Sequence, residues 1–420
     1  MKEIESIHEL NCRYKKFCDA GFHINMERGW PCKEQLELSM PMLDLVTSET
    51  NLDREMDYRG YAGTGGIEPL KHLFGNIFEV DPEQIYIGGT MSTSIMYDIV
   101  SKAMMFGFDS YKPWKDYSSI KFICPVPGYE KHFKICSTFG IEMIPISMDN
   151  NGPDMDEIEK IVASDEFVKG IWCVPLYSNP TGTIYSDEVV TRMASMKTKA
   201  DDFRIFWDNA YFAHHLSDEP GKIKNIIHES KKFGFPNRVF EFASTSKITF
   251  PGGGVGLCIS SIENIRWLTK ASLLQLKSGD KINQLRHYFF LKDENGLKEH
   301  MLKHRQIIKP KFDLVDQVLH EELDGWNIAW WQKPKGGYFF CLKVEKNMAG
   351  RIWKKCKNAG VKITPAGSIF PYGRDPEDSY LRLAPTYPSV LELETAIRVL
   401  CVCIKLCYLE NRETEENKFL

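Results

Sequence analysis

Short apolar runs recur at near-regular intervals through the first two-thirds of the chain. Ile85–Gly88, Ile120–Cys124, Gly140–Ile146, Gly170–Leu176, Phe203–Asp208 and Arg238–Ala243 have the length and the β-branched and aromatic content of buried strands. Between several of them lie stretches with apolar residues at helical spacing, such as Lys131–Phe139 and Asp187–Lys199. Strands alternating with helices predict an α/β fold, a mainly parallel sheet covered on both faces. Ligands of such sheets gather at the C-terminal ends of the strands. From about Ser261 the pattern turns helical and continues with few breakers to Glu322. A glycine turn then opens a strand, Gly336–Leu342; a Gly- and Pro-rich segment, Ala366–Arg374, precedes another apolar run; and Val390–Leu409 closes the pattern as a helix. The polar stretch Glu410–Leu420 is predicted to fray. The pattern divides the chain into a large domain over 51–310 and a smaller α+β domain over 311–420. Residues 1–50 form an arm and part of the smaller domain. No internal repeat or low-complexity segment interrupts it.

The composition is that of an ordinary soluble globular protein, with 43% apolar and 26% charged residues in 420. A net charge of −4 argues against a nucleic-acid binder and carries no membrane-surface signal. Met1–Leu10 is polar and mixed in charge, unlike a signal peptide, and no apolar run is long enough to span a bilayer. The 12 cysteines include no CxxC pair, and the 11 histidines show no metal-ligand spacing. Reduced, buried thiols in a cytoplasmic protein and no bound metal are the expectation.

Chemistry concentrates at the predicted strand ends. Ser244-Thr245-Ser246-Lys247 follows the run Arg238–Ala243 and precedes Gly252, Gly253, Gly254 and Gly256. Hydroxyls can bind a phosphate, glycines let the backbone approach a ring, and a lysine with a depressed pKa can attack a carbonyl. Taken alone, such a lysine also suits a surface turn. Phe206-Trp207-Asp208-Asn209-Ala210-Tyr211 is a buried-looking strand that ends on a carboxylate. Asp208 there suits either a helix cap or a partner that keeps a pyridine nitrogen protonated. Ser178-Asn179-Pro180-Thr181-Gly182 is a turn by its chemistry, and Asn179 could serve a phenolic oxygen.

In their order and strand-end placement these segments resemble the class I/II aminotransferase family, in particular the bacterial aspartate aminotransferase subgroup Ic. The resemblance runs from Arg28 to the final helix. It is carried further by Glu34–Ser39, Gly88-Gly89-Thr90-Met91-Ser92, Pro127–Phe133, Asn283–His287 and Thr364–Gly373. It implies a fold type I pyridoxal-phosphate enzyme that moves an amino group from an L-amino acid, aspartate or glutamate among the candidates, to a 2-oxo acid. Lys247 would carry the cofactor as a Schiff base and shuttle the proton. Asp208 would pair with the ring nitrogen, with His132 behind it. Tyr211 and Asn179 would hold the phenolic oxygen, and Tyr129 would stack on the ring. The phosphate would rest on the backbone of Met91 and Ser92, the hydroxyl of Thr90 or Ser92, and Ser244 and Ser246. Tyr61 would reach the phosphate of the neighbouring subunit, which makes the expected assembly a homodimer with shared active sites. Arg382 would grip the substrate α-carboxylate, Gly29 and Trp30 would line the substrate mouth, and Lys281 or Arg286 would meet a distal carboxylate.

Two departures stand out. The stretch Ile248–Val255 lacks the arginine that many relatives place on the phosphate, and Arg28-Gly29-Trp30-Pro31 carries tryptophan where the subgroup has lysine. Two rival readings keep the fold. One is a pyridoxal-phosphate lyase. The other is a regulator's effector domain, disfavoured because no basic helix-turn-helix segment precedes it.

Overall fold

The computed structural model describes residues 5–53, 56–61 and 63–416. Its centre is an eight-stranded sheet in the spatial order Ile85–Ile87, Gly256–Ile259, Val239–Ser244, Arg204–Asp208, Val168–Cys173, Lys121–Val126, Glu142–Asp149 and Gly152–Pro153. The five strands from Val239–Ser244 to Glu142–Asp149 are mutually parallel, whereas Gly256–Ile259 and Gly152–Pro153 pair antiparallel with their neighbours. The inner strands are buried on both faces, which is why they read in the sequence as continuous apolar runs. Alternate residues divide between two cores. Phe122, Trp172, Phe206, Phe240 and Phe242 pack on one face, and Ile123, Ile171, Ile205 and Val239 on the other. The six predicted strands of this region are present, with ends shifted by a few residues.

The second layer of organisation joins the two ends of the chain. Ile24–Met26 pairs in parallel with Val361–Ile363, and Ala329–Trp331, Phe340–Val344 and Tyr380–Leu383 form a three-stranded antiparallel sheet. Helix Val390–Glu416 packs on Ile7–Asp19 and on Glu294–Leu323, around a core that includes Leu342, Leu383, Leu400 and Ile404. The first of those helices starts at a capping box in which Ser6 and Glu9 satisfy each other's backbone amides.

The structure corrects three expectations. The helical region after Ser261 is three helices, Ile262–Ser272, Lys281–Leu291 and Glu294–Leu323, because Asp280 and Asp293 each start a new one as N-cap acceptors. The predicted strand at Gly336 begins only at Phe340, since Gly337 adopts φ +80° in the preceding turn. The polar tail continues the last helix to Glu416, where Arg351 and Lys355 pair with Glu410. Residues 417–420 of that predicted frayed stretch lie outside the described residues, as do residues 1–4. No helix among the described residues is long and apolar enough to cross a membrane, and none of the cysteines is in a disulfide.

Candidate active site

A cavity of about 320 Å3 opens at the C-terminal ends of the central strands. Its walls include Met91, Ser92, Tyr129, Asn179, Asp208, Tyr211, Ser246, Lys247 and Arg382. The topology brings most of these residues together: parallel strands end on the same side, so residues far apart in sequence leave their strands at one edge, and Arg382 joins them from the small antiparallel sheet.

Asp208, 2% exposed, is the last residue of its strand. Its Oδ2 meets His132 Nε2 at 3.1 Å, while Oδ1 is buried with no hydrogen-bond partner. His132 is fixed in turn by stacking on Trp172, with ring centroids 4.4 Å apart and 8° between the planes. A buried carboxylate oxygen left without a donor is costly unless a ligand completes it.

Lys247 lies just beyond its strand end. Its Nζ hydrogen-bonds no described residue and sits 5.4 Å from the centre of the Tyr211 ring. Burial pushes the amine below the ordinary lysine range, and the nearby Asp208 and Glu130 partly offset the shift. The backbone is pinned from behind: Tyr338 Oη donates to the Lys247 carbonyl at 3.2 Å, and His214 Nε2 lies 3.4 Å from the same oxygen. Gln35 connects that support to the N-terminal arm through Tyr338 Oη, at 2.8 Å, and His304 Nδ1, at 3.0 Å. Burial drives the imidazole of His304 down to about 3 and that of His287 to about 4; His287 holds Thr245 and Thr249 by its Nε2.

Two loops meet at one end of the cavity. Helix Ser92–Phe106 begins after Gly89, which adopts φ +65°, and Ser246 Oγ lies 2.8 Å from Ser244 Oγ. The loops touch backbone to backbone. A Cβ at Gly254 would lie 2.8 Å from the Thr90 carbonyl, and one at Gly256 would lie 2.8 Å from the carbonyls of Gly88 and Met91. The glycines are required there by close approach. The result is an open helix N-terminus flanked by hydroxyls, which is the chemistry of an anion site.

Arg382, 2% exposed, enters from strand Tyr380–Leu383 and is held on every side. Nε donates to Thr364 Oγ1 at 3.0 Å, Nη1 donates to Asn179 Oδ1 at 3.1 Å, and the guanidinium lies 4.5 Å from the centre of the Phe339 ring. Its outer edge forms a two-pronged ion pair with Glu130, at 2.6 Å and 3.1 Å. Glu130 was not anticipated from the sequence. An acid in the first turn of a helix reads as compensation of the helix dipole, and only the fold reveals the arginine across the cavity. Gly29 backs this wall, since a Cβ there would lie 2.7 Å from Phe339 Cζ.

The remaining expected residues scatter. Trp30, 45% exposed, stands at the mouth, edge-on to Tyr387. Thr90 and Ser244 lie just behind the lining. Tyr61, 83% exposed, and Arg286 do not line this chain's own cavity, and Arg286 Nε is buried without a hydrogen-bond partner. Lys281 is also outside it, with Nζ donating to the Gly60 carbonyl at 2.5 Å. Among the described residues no cluster suited to a metal ion occurs.

The strand-end lysine, buried acid and helix-terminal anion site are those of a fold type I transferase. An aspartate amino-transferase family model matches residues 2–416. A Mycolicibacterium smegmatis protein named "Putative aminotransferase" is 42% identical over 96% of this chain and 95% of its own. The aspartate aminotransferase of Corynebacterium glutamicum is 38% identical over 98% and 95%. The crystal structure of a C. glutamicum aspartate transaminase superposes with a TM-score of 0.94 at 38% identity, covering 96% of both chains. The chain belongs to the aspartate aminotransferase family; it is an aminotransferase, and pyridoxal phosphate is its cofactor.

Proposed function

We propose that Lys247 is the residue that holds pyridoxal phosphate covalently and moves the proton at the substrate α-carbon, with a dicarboxylic L-amino acid as the preferred donor. The observation that carries the assignment is the orphaned, buried Oδ1 of Asp208, a residue that lines the same cavity as Lys247, whose amine is unpaired. That oxygen fits a protonated ring nitrogen, and the loop contact at Gly254 and Gly256 fits a phosphate at the start of helix Ser92–Phe106. When bound, the cofactor supplies an electron sink for the pair left on the substrate α-carbon.

The chain's own residues do the rest. Asp208, oriented by His132, keeps the ring nitrogen protonated. Tyr211 and Asn179 hold the phenolic oxygen, and Tyr129 covers one ring face. Thr90, Met91, Ser92, Ser244 and Ser246 hold the phosphate without the arginine common in relatives. Arg382 fixes the substrate carboxylate with a planar fork, which orients the α-hydrogen toward Lys247. Burial lowers the Lys247 pKa, in the direction that favours the neutral amine a base must present.

Tyr61, exposed and away from its own cavity, is read as a residue that completes the site of a second copy, so the working unit is a homodimer. Lys281 and Arg286, which lie outside this chain's own cavity, are read as distal-side residues of a second copy's site, and Trp30 as the wall of the mouth. Residues 51–310 form the cofactor-binding domain in this reading, and 311–420 the smaller domain, in a cytoplasmic enzyme. The name of the C. glutamicum relative supports the dicarboxylic donor. A half-reaction with aspartate alone tests the activity: stoichiometric oxaloacetate and an aminated cofactor support transamination, whereas repeated turnover to alanine and carbon dioxide, or to fumarate and free ammonia, identifies a lyase.

A further inference from the structure

We propose that Glu130 is a placeholder for the substrate carboxylate, which occupies Arg382 between turnovers and restricts entry to ligands that can replace it. The inference rests on the reading of Arg382 as the carboxylate site and extends it to selectivity.

Four contacts surround the Arg382 guanidinium, and they differ in kind. Thr364, Asn179 and Phe339 are buried, uncharged neighbours. All four line the cavity, and Glu130 is the one acid among them: it presents two carboxylate oxygens to Nη1 and Nη2. That is the geometry an incoming α-carboxylate must adopt, so Glu130 and substrate cannot both be bound. Burial acts to raise the Glu130 carboxyl, and Arg382 outweighs it, so the group stays below the usual carboxylate range and is ionised throughout the neutral region.

The exchange is feasible because both partners have an alternative. Arg382 keeps three contacts when Glu130 leaves, so its aim does not depend on the acid. Glu130 opens helix Glu130–Thr138 with its side chain 21% exposed, and Lys134 lies one turn further along the same helix. Lys134 is exposed and already contributes to lowering the Glu130 pKa, and an acid four residues before a lysine is the favourable order for a helix pair. Rotation of one side chain therefore moves Glu130 from a buried pair to a solvated one. A ligand with a carboxylate replaces one two-pronged ion pair with another. An amine or amide of the same shape leaves Arg382 buried and unpaired if it displaces Glu130, which is strongly unfavourable. The enzyme is thus closed to amines that lack a carboxylate, and its affinity for those that have one is lowered by the fraction of time Glu130 is in place.

The test uses holoenzyme and two unreactive carboxylates, succinate and 3-phenylpropionate, titrated by the cofactor absorbance. Arg382→Lys should weaken both at least about tenfold, which is about 1.4 kcal/mol. Glu130→Gln should tighten both by about tenfold, and Glu130→Asp, one methylene shorter, should fall between Gln and the natural residue. Binding of n-butylamine should gain less than binding of the acids. If Arg382→Lys leaves carboxylate binding unchanged, Arg382 is misassigned and the placeholder falls with it. If Arg382→Lys weakens binding but both Glu130 variants leave it unchanged or weaker, the arginine assignment stands and the placeholder is wrong.

Discussion

The floor and the mouth of the cavity are built on different principles. Asp208, Asn179 and Arg382 on the floor are 2–3% exposed, each bound to another buried side chain, whereas Trp30 at the mouth is 45% exposed on an irregular segment. The floor carries the groups that would act on any amino acid: a base, a ring-nitrogen partner and a carboxylate fork. In the proposed reading the mouth meets the part of the substrate that differs between amino acids. Geometry that must be kept to a fraction of an ångström is packed into a sheet edge and a buried network, and geometry that selects among side chains is left on loops.

That contrast sets the scale of the expected effects. Asp208→Asn keeps the shape of the floor and removes its charge, so kcat should fall at least about a hundredfold, or about 2.7 kcal/mol in the barrier. Cofactor content measured alongside should stay near one per chain; activity within a few-fold of the natural enzyme would mean that another carboxylate serves the ring.

The network behind the floor gives the contrast a pH signature. His287 and His304 are held neutral by burial, with pKa values of about 4 and about 3. The unfolded chain protonates both below its own histidine value of about 6.5, so their contribution to stability is present above that pH and lost as pH falls toward 4 and 3. Each should cost up to about 1.4 kcal/mol per pH unit across that window. Chemical denaturation of His304→Gln should show a shallower loss between pH 6.5 and 4.5 than the natural chain. Parallel curves would mean that His304 is not held neutral.

At the mouth the effects should be smaller and should depend on the donor. Arg286→Ala or Lys281→Ala should lower kcat/KM for aspartate and glutamate by about tenfold and spare phenylalanine, if either reaches a distal carboxylate. Equal losses for both donor classes would indicate that the residue is structural, as the contact of Lys281 with Gly60 would allow. Trp30→Ala should change the ratio of aromatic to dicarboxylic turnover by only a few-fold, because it removes apolar contact at an exposed lip. A hundredfold change would move Trp30 to the floor side of the comparison.

The same division decides what could be read from the chain. Asp208, Asn179 and Lys247 were legible because each follows a continuous apolar strand and a parallel sheet collects such ends at one edge, whereas Arg382, inside a strand of the small antiparallel sheet, was reached only through the family resemblance. Other features depend on contacts between distant segments. Ile24–Met26 pairs with Val361–Ile363 through only three residues on each strand, too short to leave a pattern. The buried support behind Lys247 links Gln35, His304, His214 and Tyr338, four residues that share no local spacing. The extension of the last helix through a polar segment follows from ion pairs to Arg351 and Lys355, which hydropathy does not report. Glu130 belongs with these: its partner is 252 residues away.

One lysine, at the end of one strand, is expected to hold the cofactor. Reduction of the holoenzyme with borohydride, digestion and mass mapping tests it directly. A single reduced pyridoxyl adduct is expected on the peptide containing Ser244-Thr245-Ser246-Lys247, with Lys247→Ala giving a folded protein that has neither adduct nor turnover. An adduct on any other lysine of the natural chain would contradict it.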